Sequence, residues 1–154
     1  MKVLMCTDGS KFAEEAIDIA GYLLKFHKPE VTVLRVVPDL VEDYREYSEY
    51  YNVFKEELHR LRKLGIPSSV KQSLERAKEI LEKYGLSPKL KTRIGKASEE
   101  ILKEAEEGEH NLIVMASYGR GITKFMLGSV SREVVHKAEI PVLVVKTRED
   151  RSMM

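Results

Sequence analysis

The residues best suited to chemistry in this 154-residue chain lie near its C-terminal end. An apolar run, Leu112 to Met115, stops at Ala116-Ser117-Tyr118, and Gly119-Arg120-Gly121 follow. Gly128-Ser129-Val130-Ser131 then opens a helix-like stretch from Val130 to Ala138. Strand, glycine loop and helix N-terminus is an arrangement that holds phosphate: exposed N–H groups point at the anion, and the helix dipole adds partial positive charge. Glycine lets the loop backbone approach closely. In this reading Gly119, Gly128 and the N–H groups of Ser129 and Val130 cradle phosphates. The hydroxyls of Ser129 and Ser131 can donate to them, and Arg120 and Lys124 can neutralise their charge. Ser129 also reads as a plain N-cap of the last helix, a role compatible with binding.

A second polar turn, Thr7-Asp8-Gly9-Ser10, closes the first apolar run. Asp8 suits a ribose or a Mg²⁺-bound water, since Mg²⁺ keeps most of its waters and takes few carboxylates. It also suits a simple Asp-Gly turn. Cys6 reads as a buried small hydrophobe. His27, His59, His110 and His136 show no metal-ligand spacing with one another or with Cys6. No nucleophile elbow and no dinucleotide-binding Gly-x-Gly-x-x-Gly follows the first strand.

The elements that must position these residues follow from periodicity. Val3 to Thr7, Val31 to Val37, Lys89 to Ile94, Leu112 to Ala116 and Val142 to Val145 read as strands. Ser10 can cap a helix whose stripe runs Phe12, Ala16, Ile19, Ala20, Leu23, Leu24. Ser98 can cap another through Ile101, Leu102 and Ala105, ended near Gly108. Alternating strands and helices predict parallel βαβ units in a single α/β domain.

Residues 40–84 exceed one crossover helix and read as a helical hairpin, split at Gly65-Ile66-Pro67. Ser69 and Gln72 have capping-box spacing for its second helix, which carries Val70, Leu74, Ala77, Leu81 and Tyr84. Leu40, Tyr44, Tyr47, Tyr51, Phe54, Leu58 and Leu61 form a heptad-like seam on the first. That seam packs either within the chain or against a second subunit.

The net charge of +1 gives no global field toward nucleic acid. The one cysteine excludes an internal disulfide and fits a reducing compartment. No run reaches membrane-spanning length, and Met1-Lys2 leads straight into strand-like sequence. The expectation is a cytoplasmic protein with no membrane or nucleic-acid partner. The tail 147–154 is charged.

Three separated motifs resemble the universal stress protein family, in the family's order. Val3 to Ser10 is similar to its first strand and acidic turn. Gly119 with Gly128-Ser129 is similar to its glycine motif, and Pro141 to Lys146 to its last strand. Ala116 stands where the family has the motif's first glycine, and the loop from Gly119 to Gly128 is one residue shorter. Alanine costs little there if its backbone is strand-like, and distorts the phosphate nest if φ is positive.

The resemblance implies an open five-stranded parallel sheet over residues 1–146, ordered 3-2-1-4-5, with helices on both faces. The switch point then falls between the first and fourth strands, where ligands of open α/β sheets bind. It implies ATP with Mg²⁺, held by Thr7, Asp8, Val36, Met115, Ala116, Gly119, Gly128, Ser129, Val130 and Ser131, with no catalytic residue. Val36 would meet the base. It also implies a homodimer, paired through strand 142–145, with the 40–84 insertion as a further interface. Two alternatives stand beside a nucleotide-binding switch: a non-nucleotide interaction protein of the same family, and an adenine-nucleotide α-hydrolase-like enzyme. The enzyme's His-Ile-Gly-His and Ser-Gly-Gly signatures do not occur here.

Overall fold

A computed structural model describes residues 1–39, 67–117 and 127–147. The seam on 40–61, the loop residues Gly119, Arg120 and Lys124, and the tail 148–154 lie outside the described residues. The described elements are β1 (Lys2–Cys6), α1 (Lys11–Leu24) with a 3₁₀ turn (Lys25–His27), β2 (Glu30–Val37), α2 (Ser68–Glu82) and β3 (Lys89–Ile94). They continue with α3 (Ala97–Glu107), β4 (Leu112–Ala116), α4 (Ser129–Lys137) and β5 (Val142–Val145).

All pairings are parallel, in the order β3-β2-β1-β4-β5. Met5 sits in register with Val33 on one side and Val114 on the other. Strand alternation then splits the core. Val3, Met5, Val33 and Val114 face α1 and α2, meeting Ala16, Ile17, Leu74 and Leu81. Leu4, Cys6, Leu34, Ile113 and Met115 face α3 and α4, meeting Ile101, Ala105 and Val134. Burial on both faces is why the central strands read as continuous apolar runs.

Ser10 caps α1 as expected, its Oγ accepting from Ala13 N at 3.2 Å. The buried stripe of α1 differs from the expected one: it is Ala13, Ala16, Ile17, Ala20 and Gly21, and Leu23 is exposed. Small residues carry this contact because α2 lies close. A Cβ at Gly21 would stand 2.8 Å from Tyr84 Cδ2 and 3.1 Å from Leu81 Cδ2. Neither expected cap on the next two helices forms. The helix α2 starts at Ser68 after Pro67 with no side-chain cap, so Ser69 and Gln72 make no capping box. The helix α3 starts at Ala97, one residue before Ser98, whose hydroxyl turns to Glu133 instead.

The edge strand β3 meets α3 through charge rather than apolar packing. Glu104, buried, accepts from Lys91 Nζ at 3.0 Å and Arg93 Nε at 2.8 Å, and Arg93 also pairs with Glu100 and Glu107. Burial works to raise the Glu104 carboxyl, but these two cations hold it below its usual range.

Candidate functional site

The two central strands, β1 and β4, deliver their C-terminal ends to one crevice at the point where the strand order reverses. After β1 the chain turns sharply. Gly9 N donates to Thr7 Oγ1 at 3.1 Å, and Ser10 N donates to Asp8 Oδ1 at 2.9 Å, an Asx turn. Gly9 has φ +81°, which is what this turn needs glycine for; a Cβ there would also displace the movable Arg35 guanidinium, whose Nη1 lies 2.2 Å away. Asp8 is left exposed at the rim.

After β4, Ser117 N donates to Val145 O at 2.9 Å. The Gly128 N–H donates to Ser117 O at 2.8 Å. Ser131 Oγ donates to Ala116 O, also at 2.8 Å. These two bonds tie the start of α4 to the end of β4. Ala116 pairs with Val145 inside β4 and is not among the residues with positive φ, so its methyl strains nothing.

The crevice has a volume of about 290 Å³. Cys6, Leu34, Val36, Ile101 and Met115 make its apolar floor and sides. Thr7, Asp8, Gly128, Ser129, Val130 and Ser131 make its polar mouth.

The sequence profile of the Universal stress protein family matches residues 1–146. The chain belongs to that family. It is 30% identical to universal stress protein MJ0577 of Methanocaldococcus jannaschii, over 96% of this chain and 95% of the relative. The solved structure of MJ0577 superposes with a TM-score of 0.72 at 31% identity, covering 96% of each chain. Two solved universal stress proteins carry nucleotides. One, in complex with cAMP, has a TM-score of 0.67 at 19% identity over 94% of this chain and 95% of its own. The other, from Archaeoglobus fulgidus in complex with dAMP, has a TM-score of 0.66 at 20% identity over 95% and 98%.

In this universal stress protein, nine residues singled out in the sequence line the one crevice: Thr7, Asp8, Val36, Met115, Ala116, Gly128, Ser129, Val130 and Ser131. Three roles within that set differ from expectation. Gly128, not Ser129, is the N-cap of α4, so Ser129 is its first helical residue. The Gly128 N–H is already used by Ser117 O and is not a phosphate donor. The Ser131 hydroxyl proton is likewise used by Ala116 O.

What remains is the helix N-terminus proper. No side chain caps it, and the first helical bond is Arg132 N to Gly128 O. The N–H groups of Ser129, Val130 and Ser131 therefore lack an acceptor among the described residues.

Five lining residues are not among the site residues expected from the sequence: Cys6, Ala13, Leu34, Ala97 and Ile101. Leu34 shares a strand face with Val36 two residues on, so alternation could have found it. Ala97 and Ile101 arrive only through the packing of α3, which no local pattern encodes. Burial pushes the Cys6 thiol up to about 12, so it stays protonated at neutral pH. Among the described residues no group of three His, Cys, Asp or Glu could hold a metal ion, and no helix is long and apolar enough to cross a membrane.

Proposed function

We propose that this protein binds an adenine nucleotide, ATP with Mg²⁺, in the β1–β4 crevice and acts as a non-catalytic, dimeric switch or interaction module. The uncapped N-terminus of α4, opening beside an apolar slot, carries the reading. Three orphan N–H groups and the helix dipole suit phosphates, and Leu34, Val36, Ile101 and Met115 suit a flat base. The cAMP and dAMP complexes of the two structural neighbours support the ligand class. Asp8 sits where it could meet the ribose or a magnesium-bound water. It is the one carboxylate among the described lining residues, and its Oδ1 is held in the turn, which favours binding without turnover. Strand β5 is an edge strand with Val142, Leu143 and Val144 half-buried, a surface that a second copy would cover. The 40–84 insertion offers a further interface, and the lone cysteine fits the cytoplasm.

Calorimetric titration of nucleotide-stripped protein with ATP and Mg²⁺, then with AMP, tests this. Micromolar ATP binding that weakens for AMP is the expected result. Absence of binding to either would leave the interaction-protein reading in its place.

A further inference from the structure

The geometry points to the Ser98–Glu133 hydrogen bond as a positioning device that sets the width of the base slot, an inference that rests on the nucleotide reading of the crevice. Ser98 is 2% exposed, and its Oγ donates to Glu133 Oε2 at 2.8 Å across the α3–α4 boundary. Its neighbours on either side carry the slot. Ala97 and Ile101 on α3 and Val130 on α4 all line the crevice. Ser98 lies one residue after Ala97 and three before Ile101. Glu133 lies three after Val130, one turn along the same side of α4. The bond therefore joins the two helices within one turn of the residues each gives to the crevice.

A serine in the first turn of a helix ordinarily serves its own backbone. Ser98 instead spends its proton on another helix, and Lys96, the actual N-cap residue of α3, makes no side-chain cap. Glu133 is held from several directions: Lys137 Nζ donates to its Oε1 at 2.9 Å, and Lys96 Nζ lies 3.5 Å from the same atom. The hydrogen bonds from Lys137, and after it Ser98, hold its carboxyl down to about 2, so it is an ionised acceptor at neutral pH. A hydroxyl-to-carboxylate bond is among the stronger hydrogen bonds a protein makes. Here it joins the first turn of α3 to α4 without occupying any slot surface.

The test titrates adenosine and ATP into wild type, Ser98→Ala, Glu133→Ala and Glu133→Gln, each checked for an intact circular dichroism spectrum. Both alanine variants should weaken adenosine and ATP by the same factor, roughly 2- to 30-fold, the reach of a residue that touches no ligand. The ATP-to-adenosine ratio, which reads the phosphate end, should not move. Glu133→Gln keeps an acceptor for Ser98 and should stay within about twofold of wild type. The alanine double variant should bind as the singles do. Three results would overturn the inference: unchanged adenosine affinity in both alanine variants, a fallen ATP-to-adenosine ratio, or Glu133→Gln as weak as Glu133→Ala. Failure of wild type to bind adenosine and ATP would instead remove the nucleotide reading itself.

Discussion

Ser129→Asp should make the protein more stable and its nucleotide weaker, two effects of opposite sign from one charge. Ser129 is the first residue of α4, exposed, and the first turn holds no acidic residue. A carboxylate there meets the positive end of the helix dipole, worth about 0.3–1 kcal/mol. For a chain of this length that raises the melting temperature by at most about 2–4 °C. The same carboxylate would stand beside the orphan N–H groups proposed to take the phosphates. At a charge separation of about 5 Å, repulsion is about 0.8 kcal/mol with the dielectric of water and about 3.3 kcal/mol at an effective value of 20. That converts to roughly 4- to 250-fold weaker binding per unit of phosphate charge. The lower half of that range suits so open a mouth, and the loss should shrink as salt is raised. Calorimetry with ATP and with adenosine, beside thermal melting, reads all three quantities. Ser129→Asn is the uncharged control and should leave ATP affinity near wild type. The reasoning fails if Ser129→Asp melts higher yet binds ATP unchanged, or if adenosine weakens as much as ATP.

Two further outcomes follow from buried titratable groups. Cys6, the chain's sole cysteine, lines the crevice, so bound adenosine should slow its alkylation. Because burial raises the thiol to about 12, the alkylation rate should still be climbing above pH 9, with no plateau near the ordinary thiol range. An alkylation rate indifferent to adenosine would place the ligand elsewhere. His110 is buried, and burial lowers its pKa from 6.5 despite Glu104 Oε1 3.9 Å from its Nε2, a carboxylate Lys91 and Arg93 already neutralise. The unfolded chain takes up that proton more readily than the folded one. Stability is therefore full above pH 6.5 and should decline as pH falls through the His110 range. It should decline again below about 4.5, where Glu104 and Glu133, both lowered in the fold, begin to protonate in the unfolded chain. Urea midpoints measured from pH 8 to pH 3 should show both steps, and His110→Gln should remove the first alone.

Much of the scaffold is legible in the residues. The strands Lys89–Ile94, Leu112–Ala116 and Val142–Val145 run as their β-branched stretches and flanking glycines or prolines suggest. The Thr7–Ser10 turn is equally local, since its hydrogen bonds span only two or three residues. Strand order is different. The β1–β4 pairing joins residues over a hundred positions apart, and family resemblance rather than local pattern implies it. The stripe of α1 departs from the one periodicity suggests because not every large apolar side chain points inward. Close packing on α2 selects alanine and glycine for the contact and turns Leu23 outward. Ser98 reads as a cap because capping is a local role, whereas its actual partner, Glu133, is 35 residues away. Gly128 and Ser129 are both acceptable N-caps by type. The choice between them is made by the Ser117 carbonyl, which takes the Gly128 N–H and fixes where the helix begins.

The pair of bonds at that neck, Gly128 N to Ser117 O and Ser131 Oγ to Ala116 O, separates two things that a glycine-rich loop normally couples. The aim of α4 is set by the sheet, through the end of β4, whatever length of chain runs between Ser117 and Gly128. Doubling a segment whose ends are fixed adds only about 0.6 kcal/mol of closure entropy. The one-residue shortening seen here is then a small change on a tolerant scale. The neck is also a place where evolution, or an engineer, can splice in a reporter or a partner-binding sequence and leave the start of α4 where it stands.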